Sequence, residues 1–228
     1  WARDLIEAFG IPLSVLPEIV PPGTKLGKLE TAFAEEIGMA PCDVIAPCTH
    51  DTASAVAATP AQGAGWAFLS SGTWSLFGME LDSPRTEGKA HEYNFTNEGG
   101  YNNTIRLLKN IMGLWIVQQS RAAWDRRGES YTYAELTDLA AQAEPFQTLI
   151  DVDDPAFLNP HDMLEAIAGH CRATGQAVPA TVGATVRAVL EGLALRYAIV
   201  IEQLEEITGT VIERIHAIGG GIQNRLLC

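Results

Sequence analysis

The segment from Val182 to Ile207 constrains the fold of this 228-residue chain more than any other. Val186, Val189, Leu190, Leu193, Leu195, Tyr197, Ile201 and Leu204 recur at helical spacing and keep much of the surface of one long helix apolar. A helix that apolar has to be covered on most sides, so other layers must surround it. It runs through Gly209 into an apolar strand at Ile212 to Ile218, then Gly219-Gly220-Gly221, then the start of another helix. Upstream, strands are predicted at Gly65 to Leu69, Trp74 to Leu81, Tyr93 to Thr96 and Tyr101 to Leu107. Glycines and prolines separate them as in an antiparallel meander. Helices at Lys109 to Trp124, Thr132 to Ala143 and Pro160 to Thr174 lie between the meander and the long helix. Strands first, then helices, then strand, glycine turn and helix define a layered α/β domain.

The start of the chain reads differently. A short helix is expected at residues 3 to 9, but Pro12, Pro17, Pro21, Pro22 and Gly23 then forbid regular structure through a connecting segment. Residues 1 to 43 are taken as the tail of a preceding domain plus a linker, and residues 44 to 228 as the domain proper. There is no initiator Met, and the sequence stops in Asn224-Arg225-Leu226-Leu227-Cys228 just after the glycine turn. The chain is therefore expected to be an excised piece of a longer protein.

Charge and cysteine usage exclude several classes of function. The formal charge is −13, from 28 acids against 15 bases, with no basic stripe, which disfavours nucleic acid and anionic membrane as partners. No apolar run approaches the roughly 20 residues needed to span a bilayer, and Trp1-Ala2-Arg3-Asp4 is no signal peptide, so a cytoplasmic protein is expected. Cys42, Cys48, Cys171 and Cys228 have no zinc spacing and read as reduced, mostly buried thiols. Among the histidines, only His50 adjoins a candidate site, and no HExxH pattern occurs. Asp151-Val152-Asp153-Asp154 looks at first like a calcium loop, but Pro155 and Ala156 fall where such a loop needs a ligand and a glycine. A solvated loop is the expectation there.

Four segments carry chemistry. In Thr49-His50-Asp51-Thr52-Ala53-Ser54-Ala55, a carboxylate follows a predicted short buried strand, Val44 to Ala46, and opens a small-residue helix. That position at the mouth of a sheet is where α/β proteins bind ligands, although the segment alone is readily explained by Asp51 acting only as a helix cap. Leu69-Ser70-Ser71-Gly72-Thr73-Trp74-Ser75 is a strand, a tight turn and a second strand, rich in hydroxyls and backbone N–H groups suited to phosphate oxygens, or simply a hairpin. Gly219-Gly220-Gly221 lets a ligand approach the backbone at a helix start, or lets a helix pack closely. It matches neither GxGxxG nor a P-loop. Finally, Asn110 is expected near the first turn of a helix with Gln118 eight residues on, about 12 Å along the axis at 1.5 Å per residue, so that one helix touches both ends of an extended site. Trp115 is assigned to packing.

Taken in order, His50-Asp51-Thr52-Ala53-Ser54-Ala55-Val56, Leu69-Ser70-Ser71-Gly72-Thr73-Trp74-Ser75-Leu76, Thr96-Asn97-Glu98-Gly99-Gly100, Leu108-Lys109-Asn110-Ile111-Met112-Gly113-Leu114-Trp115 and Gly219-Gly220-Gly221-Ile222-Gln223-Asn224 closely resemble the FGGY carbohydrate kinases. The similarity extends over nearly the whole chain, and the segments around Asn97 and Asn110 resemble the branch that acts on L-rhamnulose. The resemblance implies a ribonuclease H-like fold, as in actin and hexokinase, with this chain as the C-terminal half of a two-domain sugar kinase. It also implies ATP-dependent phosphorylation of L-rhamnulose at O1 in L-rhamnose catabolism, with Mg²⁺ accompanying ATP. By the same resemblance Asp51 is the catalytic base, and His50, Asp51, Thr52 and Asn110 contact the sugar. Thr73, Gln118, Gly219, Gly220 and Gly221 line the ATP site, and no metal ligand is assigned. The chain alone, lacking the family's N-terminal domain, is not expected to turn over. A kinase for another ketose or polyol is the first rival, and a non-catalytic actin-like nucleotide-binding protein the second.

Overall fold

In the computed structural model, which describes residues 1–228, the chain opens with helix α1 (Arg3–Ala8) and a two-stranded antiparallel ribbon of β1 (Lys25–Lys28) and β2 (Asp43–Ile45), with α2 (Thr31–Glu36) between the two strands. The proline-rich stretch holds only a single 3-10 turn at Leu13–Val15, as the sequence requires. The strand and helix at 25–36 were not expected, and the ribbon joins residues on both sides of position 43. The predicted buried strand at Val44 to Ala46 is corrected in one respect: β2 belongs to this ribbon and not to the main sheet, and Val44 and Ile45 are exposed. Its partner carries Lys25 and Lys28, which hold Asp43 at 2.7 and 2.6 Å.

The main sheet has five strands. After α3 (Asp51–Ala57) come β3 (Trp66–Ser71) and β4 (Ser75–Leu81), a helical turn α4 (Lys89–Glu92), then β5 (Thr96–Gly99) and β6 (Ile105–Ile111). Four helices follow: α5 (Trp115–Arg126), α6 (Tyr133–Gln142), α7 (Met163–Ala173) and α8 (Val182–Thr208), and β7 (Arg214–Ile218) closes the element order before a 3-10 turn at Gly220–Gln223. The strand order is β5-β6-β4-β3-β7, all antiparallel except β3 with β7. Two boundaries differ from expectation for local reasons. Asn94 takes a left-handed φ of 56° and delays β5 to Thr96, while Asn102 and Asn103 do the same before β6.

Alternation along the strands sorts the core into two layers. Ala67, Leu69, Phe77, Met79, Leu107 and Ile111 face α5 to α8 and join the main core of 26 buried residues. Phe68 and Leu108 point the other way, where Val56 of α3 covers them. The long helix is buried along most of its length, from the Thr181 cap to Gly209 in left-handed conformation. Leu195 is the exception to the sequence reading: with Ile199, one turn on, it forms an outward stripe and is 42% exposed. The acidic loop is not merely solvated. Asp153 accepts from Met112 N–H at 3.0 Å and from Arg196 Nε at 2.7 Å, and Asp154 contacts His170 at 2.9 Å, so its carboxylates tie the loop to the residue that follows β6, to α7 and to α8. All four cysteines are free thiols, but only Cys171 is buried.

Candidate active site

Two groups of polar residues meet at the C-terminal end of β3, one on each face of the sheet. On the face covered by α3, His50 is the residue before the helix and its side chain makes no capping bond. Asp51 opens the helix, and its Oδ1 accepts the Thr52 N–H at 2.7 Å, so it does serve the helix start. Its side chain is nevertheless 96% exposed, which leaves Oδ2 open to a ligand, while Oδ1 also has His50 Nε2 at 3.4 Å and Thr52 Oγ1 at 3.5 Å. Thr52 is buried, and its Oγ1 lies 3.5 Å from Ser70 Oγ, which fixes the helix start over the end of β3.

Asn110 stands on this same face. Ser70 pairs with Leu76 and Leu76 with Asn110, so the three lie in one row across β3, β4 and β6, with Asn110 about 10 Å from Ser70 at two strand spacings. This corrects the sequence reading. Asn110 is a strand residue, α5 starts only at Trp115, and Asn110 and Gln118 therefore do not share a helix. The backbone through Ile111 is held by its ladder with β4, which propensity within the segment could not reveal. Two further charged residues on this face were given no role by the sequence reading: Glu98 of β5 and Arg106 of β6, whose Nη2 donates to Glu98 Oε2 at 3.0 Å. The available signal was an arginine inside the apolar run Ile105 to Leu108.

On the opposite face the β3–β4 turn is pinned by its own carbonyls. Gly72 O accepts from Leu114 N–H and Thr73 O from Trp115 N–H, each at 3.0 Å, which docks the turn on the start of α5. One helical turn along α5, Gln118 Nε2 donates to Thr73 Oγ1 at 3.1 Å. Thr73 and Gln118 open into a cleft of about 820 Å³, with Gly220 and Gly221 on one wall and Tyr133, Thr137 and Asp138 of α6 across from them. Beneath the turn, Tyr197 OH and Ser75 Oγ are hydrogen-bonded at 2.6 Å. Burial pushes this phenol above its usual range, against the opposing pull of that bond.

The three glycines do different things. Gly219 has φ 91°, and a Cβ there would lie 2.5 Å from Ser71 O. A Cβ at Gly221 would overlap the Ser71 hydroxyl. Both are required for the turn after β7 to close on β3. Gly220 has no neighbour within 4 Å of a built Cβ and is the one that leaves open space in the cleft wall. Gly219 itself does not line the cleft.

The site thus sits on a layered α/β domain, with a carboxylate on one face of a meander sheet and a glycine-walled cleft on the other. Residues 67–228 match the FGGY family of carbohydrate kinases, C-terminal domain, and the chain belongs to that family. It is similar to the rhamnulokinase of Enterococcus faecalis, 43% identical over 231 residues that take in 100% of this chain and 46% of the relative. It is also similar to that of Bacteroides thetaiotaomicron, 46% identical over 224 residues, 98% of this chain and 45% of the relative. The chain thus spans about half the length of the curated relatives it matches. Among solved structures, the ligand-bound xylulose kinase of Lactobacillus acidophilus superposes with a TM-score of 0.68 at 17% identity, over 100% of this chain and 45% of that one. Plasmodium falciparum glycerol kinase with ADP gives 0.67 at 17%, over 100% and 44%. The fold is accordingly that of the actin and hexokinase type of ATPase, as the sequence resemblance implies.

Proposed function

We propose that the protein transfers the γ-phosphoryl group of ATP to O1 of L-rhamnulose, giving L-rhamnulose 1-phosphate and ADP. The observation that carries the phosphotransferase reading is the short span of backbone from Ser70 to Thr73. Ser70 touches Thr52 beside the Asp51 carboxylate, and Thr73 three residues on opens into the cleft with Gln118. A proton acceptor and a phosphate site so joined are what phosphoryl transfer needs, since its catalysis is mostly positioning and charge stabilisation. The choice of sugar rests on the rhamnulokinases, 41–46% identical across nearly all of this chain.

In this reading Asp51 takes the O1 proton as O1 forms its bond to the γ-phosphorus and the bond to the β-phosphate oxygen breaks. His50, Thr52 and Asn110 bind the sugar hydroxyls. Thr73, Gln118, Gly220 and Gly221 bind the nucleotide, with Gly219 shaping the turn behind them and Gly220 letting the phosphates approach the backbone. No group of three or more His, Cys, Asp or Glu side chains converges in this chain to hold a metal. In this reading Mg²⁺ accompanies ATP, carried on phosphate oxygens and water. Residues 44 to 228 act as the C-terminal domain, behind a tail and linker at 1 to 43. ATP as co-substrate implies a cytoplasmic site of action, and no helix is long and apolar enough to cross a membrane.

The test is coupled ADP release by the protein expressed from its complete gene, with Mg-ATP and L-rhamnulose, L-xylulose, L-fuculose or glycerol. The expected result is a kcat/KM for L-rhamnulose at least about 10-fold above the others, the discrimination that one or two hydroxyl contacts supply. Preference for another sugar replaces the substrate; no sugar-dependent release removes the kinase reading in favour of a nucleotide-binding protein.

A further inference from the structure

Glu98 and Arg106 stand opposite each other in the β5–β6 ladder, next to His50, and neither is among the residues proposed to bind sugar or nucleotide. Arg106 is 2% exposed. Its Nη2 donates to Glu98 Oε2 at 3.0 Å, and both Nε and Nη2 donate to Gly99 O at 3.2 Å, while Nη1 is buried without a partner. A guanidinium this deep is tolerated only when it is paired, so it locks the Glu98 carboxylate in place. The same Oε2 lies 3.2 Å from His50 Nδ1.

Arg106 Nη2 is also 3.5 Å from that nitrogen, and the two contacts are mutually exclusive: Nδ1 either donates to the carboxylate or accepts from the guanidinium. The carboxylate contact is the shorter, and Arg106 Nη2 already has better-placed acceptors in Glu98 and Gly99. Nε2 faces a carboxylate as well, but Asp51 is the more distant at 3.4 Å and is 96% exposed, whereas Glu98 is at 3.2 Å and held by Arg106, so a single ring proton belongs on Nδ1. In the neutral ring this leaves Nε2 with its lone pair, and Nε2 is the nitrogen 3.4 Å from Asp51 Oδ1.

We propose that Glu98, locked by the buried Arg106, is a positioning residue that takes the Nδ1–H of His50 and leaves the unprotonated Nε2 facing Asp51 and the substrate. The inference rests on Asp51 being the base. A carboxylate that receives an N–H is stabilised in its charged form and is a weaker proton acceptor. With Nε2 bare, His50 gives Asp51 no such bond, and can instead accept from a sugar hydroxyl beside the one that Asp51 deprotonates. Asp51, Glu98 and Arg106 are the charged groups around the ring.

Long-range ¹H–¹⁵N NMR of the complete protein labelled with ¹⁵N-histidine at pH ~8, where an ordinary histidine is neutral, reads the tautomer directly. His50 is assigned by its loss in His50→Asn. The expected spectrum has the proton on Nδ1, and a proton on Nε2 overturns the proposal. Replacing both partners at once, Glu98→Leu with Arg106→Met, leaves no lone buried charge. It should return His50 to the tautomer mixture of free histidine, and an unchanged tautomer also overturns the proposal. Should that variant not fold, Glu98→Gln keeps the shape with a weaker acceptor and should shift the tautomer ratio partway, no shift having the same adverse meaning. In the complete protein, Glu98→Gln should lower kcat on the order of 10-fold with KM for ATP unmoved, as loss of an orienting partner does. An effect on KM alone would count against positioning. The spectrum needs no turnover, so failure of the sugar panel and failure of this inference are read separately.

Discussion

The two faces of the sheet at the end of β3 are built in opposite ways. The cleft face is made by backbone: a turn whose carbonyls are tied to α5, and a glycine turn whose shape forbids a Cβ at two of three positions. The α3 face is made by side chains that arrive from distant parts of the chain, His50 and Asp51 from one helix start, Glu98 and Arg106 from two strands, Asn110 from the far end of β6. The first is a cavity of about 820 Å³, the second an open wall on which Asp51 is 96% exposed. Backbone geometry suits a co-substrate recognised by its phosphates, whereas side chains on a wall can be exchanged to suit a sugar. Mutations on the first face should thus be felt in folding and nucleotide affinity, and on the second in turnover and sugar choice.

The largest effect expected from this contrast is that of Asp51→Asn. It keeps the Thr52 N–H bond but removes the proton acceptor, so kcat should fall by roughly 10² to 10⁴ with little change in thermal stability or in KM for ATP. Turnover near that of the parent would take the base away from the α3 face. Next come the glycines, which should separate from one another. Gly219→Val combines a left-handed φ with overlap on Ser71 and should cost about 3 kcal/mol or more, read as a lowered urea midpoint. Gly220→Ala, in open space, should stay within about 0.5 kcal/mol. Equal losses at the two positions would show that the turn is not seated on Ser71.

The sequence is most legible where structure depends on local chemistry. The apolar periodicity of α8 with its Gly209 stop and the glycine turn after β7 are both written in contiguous residues. It is least legible from Arg106 to Trp115. There the same apolar residues fit a helical or a strand period, and pairing with β4, some thirty residues upstream, decides for strand. Asn110 was accordingly placed on the wrong element, although it still falls on the face with His50, Asp51 and Thr52. Thr73, Gln118, Gly220 and Gly221 do converge on one cleft. Glu98 and Arg106 carried no local motif, since their partnership exists only once β5 lies beside β6.

The division of labour between the faces is tested most directly by one set of steady-state kinetics: Asn110→Ala and Gln118→Ala, each measured against both L-rhamnulose and ATP. Each substitution deletes a polar contact worth up to a tenfold change, on one side of the sheet only. Asn110→Ala should raise KM for the sugar about 3- to 10-fold and leave that for ATP within about 2-fold, and Gln118→Ala should do the reverse. If both substitutions raise KM for the same substrate, the sheet does not separate sugar from nucleotide, and the account of the two faces is contradicted.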